Sequence, residues 1–417
     1  MHDFSGQRVL LASSIRWPVA AKLALAFLRH GCEVHAVCPQ DHPFSFVSGI
    51  NKLYRYRGTD SLRSLGDAIE ASRPDLVIPC DDGVVWQLHA LYRARAELRP
   101  LIERSLGDPA GYEVVAGRAE LMEIAEELHI RIPRTVRVSD AADLRKWFSE
   151  DGTAGVLKLD WTCGGKGVEV VRSFADAEKA LHTMGRPATF MTAFGRWLLI
   201  HDALAFWKWR HQRRRAVTLQ QLIIGRPANA MMACRDGKVL GLVTVEVLFA
   251  QGPTGTALAV RPVENDEIRA GAERIAKRLR LSGFHGLDYV LEDGTGDAYL
   301  IELNPRCTQL GHLQVGSQDD LAGILCCPSA DAPLPGSRAA TGAKVIAFFP
   351  EALMSNPPCP YLGDAYVDTP LEEPRLLGEL TRGDWRDRRL LARLYRASRP
   401  AKRTAVEFEG GRPAVPV

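Results

Sequence analysis

The residues of this chain whose types could do chemistry lie on predicted strands. Lys158 falls in the apolar run GVLKLD, and Asp288 and Glu302 fall in two later runs, GLDYVLEDG and AYLIELN. A charge on a buried strand is costly unless it is paired with an opposite charge or binds a cation. Each of these three side chains therefore needs a partner or a ligand.

Glu302 and Asn304 are two residues apart on one predicted strand, so their side chains project to the same face. A neighbouring antiparallel strand that carries Asp288 would bring a third oxygen ligand alongside them. Two carboxylates and one amide oxygen suit Mg²⁺, with Mn²⁺ as an alternative, and Mg²⁺ usually fills its remaining positions with water and substrate phosphates. The trio therefore predicts a metal site that serves a nucleoside triphosphate.

A glycine-rich turn, WTCGGKG, lies between the predicted strands 155–160 and 168–173. Such a turn can place backbone N–H groups against phosphate oxygens without side-chain obstruction. Each feature alone has a simpler explanation, because a strand lysine is more often a snorkelling residue, a GGKG turn a hairpin and an ELN segment a strand end. What indicates a nucleotide site is their order: strand lysine, glycine turn, QQLIIG strand and then the acidic strands.

The elements that must position these residues begin with alternating strands and helices over about the first 105 residues. Three buried strands are predicted, at 8–12, 33–38 and 75–80. They predict a doubly wound parallel α/β layer, whose ligands bind beyond the carboxyl ends of the strands, next to Ser13, Ser14, Asp81 and Asp82. The loop after the first strand, SSIRWPVAA, contains no glycine, which argues against a dinucleotide-binding enzyme.

A second domain is predicted to begin with a linker near Gly117. Its expected elements are a helix capped by Ser139, a strand at 218–225, a hairpin turn at Asp236-Gly237 and a helix at 264–281. Beyond it, a C-terminal extension is predicted, with an Arg-rich helical stretch at 386–399.

In this order the motifs resemble those of the ATP-grasp superfamily of carboxylate-amine ligases, with its preceding α/β domain. VLKLDWTCGGKGVEVV resembles the phosphate-binding strand and loop, QQLIIG the adenine hinge, and GFHGLDYVLEDGTGDAYLIELNPR the metal-binding strand pair. The resemblance covers about residues 5–325 and implies a doubly wound α/β domain followed by an α+β ATP-grasp fold. The implied domains are 1–108, 109–330 and the extension 331–417; the second comprises a linker (109–138), a glycine-loop subdomain (139–222) and a metal-binding subdomain (223–330).

The resemblance implies ATP and Mg²⁺, with Asp288, Glu302 and Asn304 as metal ligands and Arg306 as the residue that neutralises the acyl phosphate or the substrate carboxylate. The residues implied in nucleotide binding are Arg118, Lys158, Gly164, Gly165, Lys166, Gly167, Gln220, Gln221 and Ile223. The sequence departs from the family pattern at three places, which leaves its nucleotide preference open: Arg118 replaces a lysine, Gln220-Gln221 an acidic hinge residue, and Pro227 a glutamate of some members.

The implied reaction is an ADP-forming ligation, in which ATP activates a carboxylate as an acyl phosphate and an amine displaces the phosphate. Two alternatives stay open: an ATP-grasp phosphotransferase with a non-carboxylate acceptor, and a nucleotide-dependent binder of anionic partners through the basic patch at 206–215. We favour a simpler account of that patch, an amphipathic helix that packs its tryptophans on the grasp domain and exposes its arginines, over contact with nucleic acid or a membrane. The expected partners are a small carboxylate and an amine, and a homo-oligomer is left open.

Composition sets the remaining limits. Lys and Arg number 53 against 50 Asp and Glu, and the net charge of +3 is too small to indicate a nucleic-acid or membrane partner. The nine cysteines show no CxxC spacing, which argues against a zinc ribbon or a disulfide framework. The first residues lack the basic-then-apolar layout of a signal peptide, and no apolar run is long enough to span a membrane. We therefore expect a cytoplasmic enzyme.

Overall fold

A computed structural model describes the protein at residues 6–150, 154–160, 167–184, 189–200, 202, 204–210, 216–315, 319–326, 343–383 and 404–408. These residues form a parallel four-stranded sheet, an antiparallel four-stranded sheet, an eight-stranded sheet and a two-stranded ladder. No helix within these ranges is long and apolar enough to cross a membrane.

The first sheet is parallel, and its strands lie in the order β3-β2-β1-β4. They are β1 (Arg8–Ala12), β2 (Glu33–Cys38), β3 (Lys52–Arg55) and β4 (Leu76–Pro79). The helices of this layer are α1 (Pro18–Arg29), α2 (Ser61–Ser72), α3 (Asp82–Ala94) and α4 (Arg99–Leu106). The predicted parallel layer is therefore confirmed. The sequence did not predict β3, because this edge strand is mostly exposed and has no apolar run.

The second sheet is antiparallel, in the order β5-β8-β6-β7. It follows two linker helices, α5 (Tyr112–Ala116) and α6 (Arg118–Glu127). Its strands are β5 (Thr135–Val138), β6 (Gly155–Leu159), β7 (Val168–Val171) and β8 (Val217–Gln221). Its helices are α7 (Ala141–Glu150), α8 (Phe174–Met184), α9 (Phe190–Ile200) and α10 (Leu204–Arg210).

Two details of this region differ from the prediction. The side chain of Asp140, rather than that of Ser139, caps α7, because its Oδ1 accepts from the Ala142 N–H at 2.7 Å. The strand predicted at 218–225 ends at Gln221, since the chain leaves this sheet there and enters the next one at Gly225. Residues 222–224 therefore connect two sheets.

The eight-stranded sheet follows the order β13-β12-β9-β10-β11-β16-β17, and β18 pairs with β10. Its long strands are β9 (Gly225–Arg235), β10 (Lys238–Ala250), β11 (Ala257–Pro262), β12 (Gly283–Glu292) and β13 (Ala298–Asn304), with α11 (Asp266–Leu279) between β11 and β12. The predicted hairpin turn joins β9 to β10, and both its residues have positive φ, 49° at Asp236 and 82° at Gly237. The predicted helix at 264–281 is α11, where Asn265 accepts from the Ile268 N–H.

Short elements complete the described chain: β14 (Gln314–Val315), β15 (Asp319–Asp320), α12 (Leu321–Cys326), β16 (Ile346–Ala347), β17 (Tyr366–Val367), α13 (Pro374–Thr381) and β18 (Val406–Glu407). The described part of the predicted C-terminal extension thus adds strands to the large sheet. It also contacts the first layer, where Lys22 of α1 donates at 2.6 Å both to the Phe349 carbonyl and to Asp368. The Arg-rich stretch at 386–399 lies outside the described residues.

The two faces of the large sheet pack differently. On one face, Met231, Val245 and Phe284 join a core shared with the first parallel layer. On the other, apolar side chains of β9 and β12 pack against α6 and α11. Because the first face is covered by the parallel layer, the carboxyl ends of β1 and β4 are brought to the acidic end of β12 and β13, where a common cavity forms.

Candidate nucleotide and metal site

The acidic residues of β12 and β13 lie side by side. Asp288 is the cross-strand partner of Glu302, and Asn304 is opposite Gly286. The Asn304 Nδ2 donates to Asp288 Oδ2 at 2.9 Å. The structure therefore brings the three predicted metal ligands together on antiparallel strands, as the spacing predicted, and their role as ligands stays a prediction.

Asn229, on β9, also belongs to this group, although the sequence analysis missed it. It is the partner of Asp288 on the other side of β12, and its Nδ2 donates to Asp288 Oδ1 at 2.7 Å. Burial and then the Glu302 carboxylate raise the pKa of Asp288 to about 6, while the amide donors Asn229 and Asn304 oppose that shift. A cation between the two carboxylates would favour their charged forms, so these residues fit a Mg²⁺ site.

Two cations lie beside these carboxylates. Lys158, on β6, is 5% exposed, and its Nζ donates to the Ile301 carbonyl at 3.3 Å. Burial lowers the pKa of Lys158 to about 8, with Glu302 acting against the shift and Arg118 with it. Arg118, the first residue of α6, donates to Glu302 at 2.7 Å and to the Leu159 carbonyl at 2.9 Å. The helix α6 thus supplies one positive charge, and the strand β6 supplies the other.

The glycine turn is described only at its end. Gly167 has a φ of 69°, a conformation that favours glycine, and its carbonyl accepts from the Leu159 N–H at 2.8 Å. Gly164, Gly165 and Lys166 lie outside the described residues. The predicted phosphate contacts of the turn therefore stay predictions.

An apolar slot lies beside Lys158. The aliphatic side chains that line it come from β6, β7 and the connection to β9: Val156, Val168, Val170, Leu222, Ile223 and Ile224. Gln220 pairs with Val156 across β6 and β8, and Gln221 also lines the slot. Gln220 is 2% exposed, and its Nε2 has no hydrogen-bond partner within the described part of the chain. A buried amide donor that faces a slot fits a ligand with an acceptor atom, as a purine base has.

Arg306 connects the end of β13 to the first parallel layer. Its Nε donates to Asp82 Oδ1 at 3.0 Å, and its Nη2 donates to Asn304 Oδ1 at 3.3 Å. Its guanidinium also lies 5.8 Å from the centre of the Trp17 ring. Asp82 is the first residue of α3. The residue before it, Asp81, caps this helix. Its carboxylate accepts from the Ser13 hydroxyl, from the hydroxyl and the N–H of Ser14, and from the Val84 N–H. The predicted ligand position at the ends of β1 and β4 therefore faces the end of β13.

One cavity of about 490 Å³ is lined by the charged and amide side chains of these groups: Asp82, Arg118, Lys158, Gln220, Asn229, Asp288, Glu302, Asn304 and Arg306. It extends from the slot beside Gln220, past Lys158 and Glu302, to Asp82. Its far end is lined by apolar side chains and by the loop after β10: Ile15, Trp17, Leu204, Leu310, Phe408 and residues 253–257. The cavity therefore joins the slot beside Gln220 to the pair Asp82 and Arg306.

The helix α10 of the basic patch contacts a different partner from the one predicted. Trp207 is buried against Trp86 of α3, and the Lys208 Nζ lies 5.3 Å from the Trp86 ring centre. The expectation that the tryptophans pack on the grasp domain is thus wrong for Trp207, because α10 crosses to the parallel layer. Arg210 is exposed, and Arg213 to Arg215 lie outside the described residues.

The comparisons with known proteins agree with this architecture. Residues 202–309 match the family model of the ATP-grasp domain. A solved ADP complex of N5-carboxyaminoimidazole ribonucleotide synthetase is 16% identical, with 81% of this chain and 80% of that chain covered and a TM-score of 0.58. The same enzyme from Thermus thermophilus is also 16% identical, with 79% and 80% covered and a TM-score of 0.56.

A third similar structure is the biotin carboxylase domain of the 2-oxoglutarate carboxylase of Hydrogenobacter thermophilus. It is 14% identical, with 79% of this chain and 70% of that chain covered and a TM-score of 0.58. The chain therefore has the ATP-grasp fold behind an N-terminal α/β layer, as the motifs predicted. The matched segment 202–309 contains β8, β12 and β13, which carry the predicted hinge and metal residues.

Proposed function

We propose that this protein is an ATP-dependent ligase that activates a carboxylate as an acyl phosphate for attack by an amine. The observation that carries the proposal is the position of Arg306. Its guanidinium contacts Asn304 of the metal strand on one side and Asp82 on the other, within a cavity that continues into the nucleotide slot. A guanidinium at that point can bind a carboxylate and stabilise the charge that develops on it.

The other residues take roles that their positions support. Asp288, Glu302 and Asn304 would hold Mg²⁺, which neutralises and orients the β- and γ-phosphates when it is bound. Lys158 and Arg118 provide positive charge next to those phosphates, and the slot at Gln220 takes the base. The ADP, MgADP and ATP complexes named for similar structures support ATP as the substrate.

In the proposed reaction, a carboxylate oxygen attacks the γ-phosphorus of ATP, and the bond from that phosphorus to the β–γ bridging oxygen breaks. ADP leaves with the electron pair of that bond. An amine then attacks the carbonyl carbon of the acyl phosphate, loses a proton, and expels inorganic phosphate as the amide forms. The protein contributes positioning and charge neutralisation to both steps rather than a covalent bond.

One comparison favours a second acceptor. The biotin carboxylase domain of Hydrogenobacter thermophilus was solved with bicarbonate as well as MgADP. Bicarbonate is an anion with a carboxylate-like face, and it too would suit Arg306. ATP turnover that requires bicarbonate and no organic acid would favour this acceptor.

Hydroxylamine tests the reaction class, because it traps acyl phosphates as hydroxamates. The protein is incubated with ATP, Mg²⁺, hydroxylamine and single carboxylic acids, and both ADP and hydroxamate are measured. We expect equal amounts of the two for the correct acid. ADP formation with an identified acceptor that gives neither hydroxamate nor amide would support the phosphotransferase instead. Salt-dependent RNA binding that is lost on mutation of the 206–215 patch would support the anion binder.

A further inference from the structure

Asp82 and Arg306 form an ion pair inside the cavity. The Asp82 Oδ1 and the Arg306 Nε are 3.0 Å apart, and the two side chains are 17% and 16% exposed. Both residues line the cavity, and they come from different layers, Asp82 from the start of α3 and Arg306 from just beyond β13. A substrate at the far end of the cavity therefore meets two opposite charges together.

The chemistry of this pair selects among carboxylates. The guanidinium of Arg306 offers parallel donors to a carboxylate, and the carboxylate of Asp82 accepts from an ammonium group. An α-amino acid carries both of these charged groups on one carbon atom. A plain carboxylate or bicarbonate would compete with Asp82 for Arg306 and bring no positive charge of its own, and two carboxylates that share one cation are costly in a partly buried position. A site with such a group discriminates strongly against analogues that lack the matching donor.

Apolar side chains lie close to the pair on the side away from Asn304. The Trp17 ring lies 5.8 Å from the Arg306 guanidinium. Leu204 packs against the backbone next to Asp82, since a Cβ added to Gly83 would come within 2.6 Å of its Cδ1. The neighbouring Asp81 accepts hydrogen bonds from Ser13, Ser14 and Val84 and so has partners already. A substrate side chain at this end of the cavity therefore meets aromatic and aliphatic atoms.

We infer that the carboxylate substrate is an α-amino acid with an apolar side chain, bound by its carboxylate to Arg306 and by its ammonium group to Asp82. The inference rests on the proposed function and specifies its substrate class. In the first step one carboxylate oxygen of the amino acid displaces ADP from the γ-phosphorus, and the ammonium group keeps its proton. Because Asp82 holds that nitrogen as ammonium, the attacking amine must come from a second molecule.

Matched pairs of acids test the inference. The hydroxamate assay is run with the standard apolar amino acids and with their analogues that lack the amino group, such as L-leucine with 4-methylpentanoate and L-phenylalanine with 3-phenylpropanoate. Bicarbonate is included as a further acceptor, read out by ADP release. We expect kcat/KM for at least one amino acid to exceed that for its analogue by about 100-fold or more. Calorimetric titration in the presence of Mg²⁺ and a non-hydrolysable ATP analogue gives a second readout, because it measures binding without turnover.

The variant Asp82→Asn keeps the size of the side chain but removes its charge. We expect its affinity for the amino acid to fall by about 30-fold, the range for a lost charge-assisted hydrogen bond, and its preference over the analogue to shrink by the same factor. Asp67→Asn is the matched control, since Asp67 is 66% exposed in a surface ion pair with Arg63 and does not line the cavity. Thermal unfolding of both variants shows that they fold.

Two results would overturn the inference and leave the ligase standing. One is hydroxamate formation at equal rates with the amino acids and their analogues. The other is an equal loss for both kinds of acid in Asp82→Asn, which would make Asp82 a residue that only positions Arg306. By contrast, ADP release that depends on one of these acids but gives neither hydroxamate nor amide would overturn the proposed function itself.

Discussion

Arg118, on α6, donates to Glu302, on β13, with 2.7 Å between the Arg118 Nη2 and the Glu302 Oε1. The contact holds one of the proposed metal ligands in place before any metal binds. In the proposed site Glu302 would have two tasks, because it balances the charge of the buried Arg118 and would also bind the cation. Changes at Glu302 should therefore affect both turnover and stability.

The variant Glu302→Ala should lose Mg²⁺-dependent ADP release by at least about 100-fold, because a ligand of the phosphate-bound metal is gone. Its unfolding midpoint should also fall, since the buried Arg118 loses a partner. ADP release is followed over a range of Mg²⁺ concentrations. Glu70→Gln, which removes an exposed partner of Arg95, serves as the control. Normal turnover in folded Glu302→Ala would end the metal assignment.

The variant Lys158→Met should bind ATP more weakly, because methionine keeps the length of the side chain without its charge. We expect a loss of about tenfold or more, the size of a charge-assisted hydrogen bond to a phosphate. Affinity is measured by calorimetry with a non-hydrolysable ATP analogue. A change in affinity and turnover of less than about twofold, under ~0.4 kcal/mol, would show that Lys158 is only a strand residue.

The variant Gln220→Met should affect stability and nucleotide binding in opposite directions. The Nε2 of Gln220 is buried without a partner in the described structure, so an apolar replacement should stabilise the free protein by about 1 kcal/mol. The same change should weaken binding of the ATP analogue about tenfold, because a donor in the base slot is lost. Unfolding curves with and without the analogue measure both effects. If the variant were less stable without the analogue but bound it with unchanged affinity, the Gln220 amide would have a hydrogen-bond partner within the protein and no contact with the base.

The variant Arg306→Lys should slow the chemical step more than it weakens ATP binding. A lysine cannot present the two parallel donors of a guanidinium, and it cannot contact Asp82 and Asn304 in the same way. We expect a single-turnover rate lower by about 100-fold, with ATP affinity nearly unchanged. Rapid-quench measurements of acyl phosphate formation separate the two quantities. A proportionate loss of both would place Arg306 among the ATP-binding residues.

Stability should depend on pH through Glu351. Burial raises the pKa of Glu351 from 4.5 to about 7, with Lys22 acting against the shift. Because the folded state holds this proton more tightly than the unfolded state, stability contributed by the protonated form is present below about pH 4.5 and is lost as the pH rises through 7. Between pH 5 and pH 8 the unfolding midpoint of the wild type should therefore drop by about 2 °C relative to Glu351→Gln. Parallel midpoints for the two proteins would contradict this assignment.

The sequence predicted the parts of the site that depend on local spacing. Glu302 and Asn304 lie two residues apart on one strand, so their position on a shared face follows from strand periodicity. The pair Asp82–Arg306 could not be predicted in this way, because its members are 224 residues apart and meet only when two sheets pack. Asn229 was missed for the same reason, since its role depends on which strand pairs with β12.

The fold, too, has elements that local sequence patterns predict and elements that only tertiary packing defines. Long apolar strands and capped helices such as α11 were predictable from their periodicity. The two-residue strands β16, β17 and β18 have no period to detect, and only their pairing with the large sheet defines them. The contact of Trp207 with Trp86 depends on how α10 crosses to the parallel layer, which the amphipathic pattern does not specify.

The contact of Lys22 with Asp368 and the Phe349 carbonyl determines where the chain can be shortened. Both side chains of the ion pair are 3% exposed, and His312 shares the same carboxylate at 2.8 Å. A version that stopped after α12 would remove both acceptors of the Lys22 ammonium, and it would uncover the apolar side chains that pack with Phe348, Phe349 and Leu376. Residues 343–383 therefore form part of the core of the first parallel layer, and a fragment without them should be less stable than the whole chain.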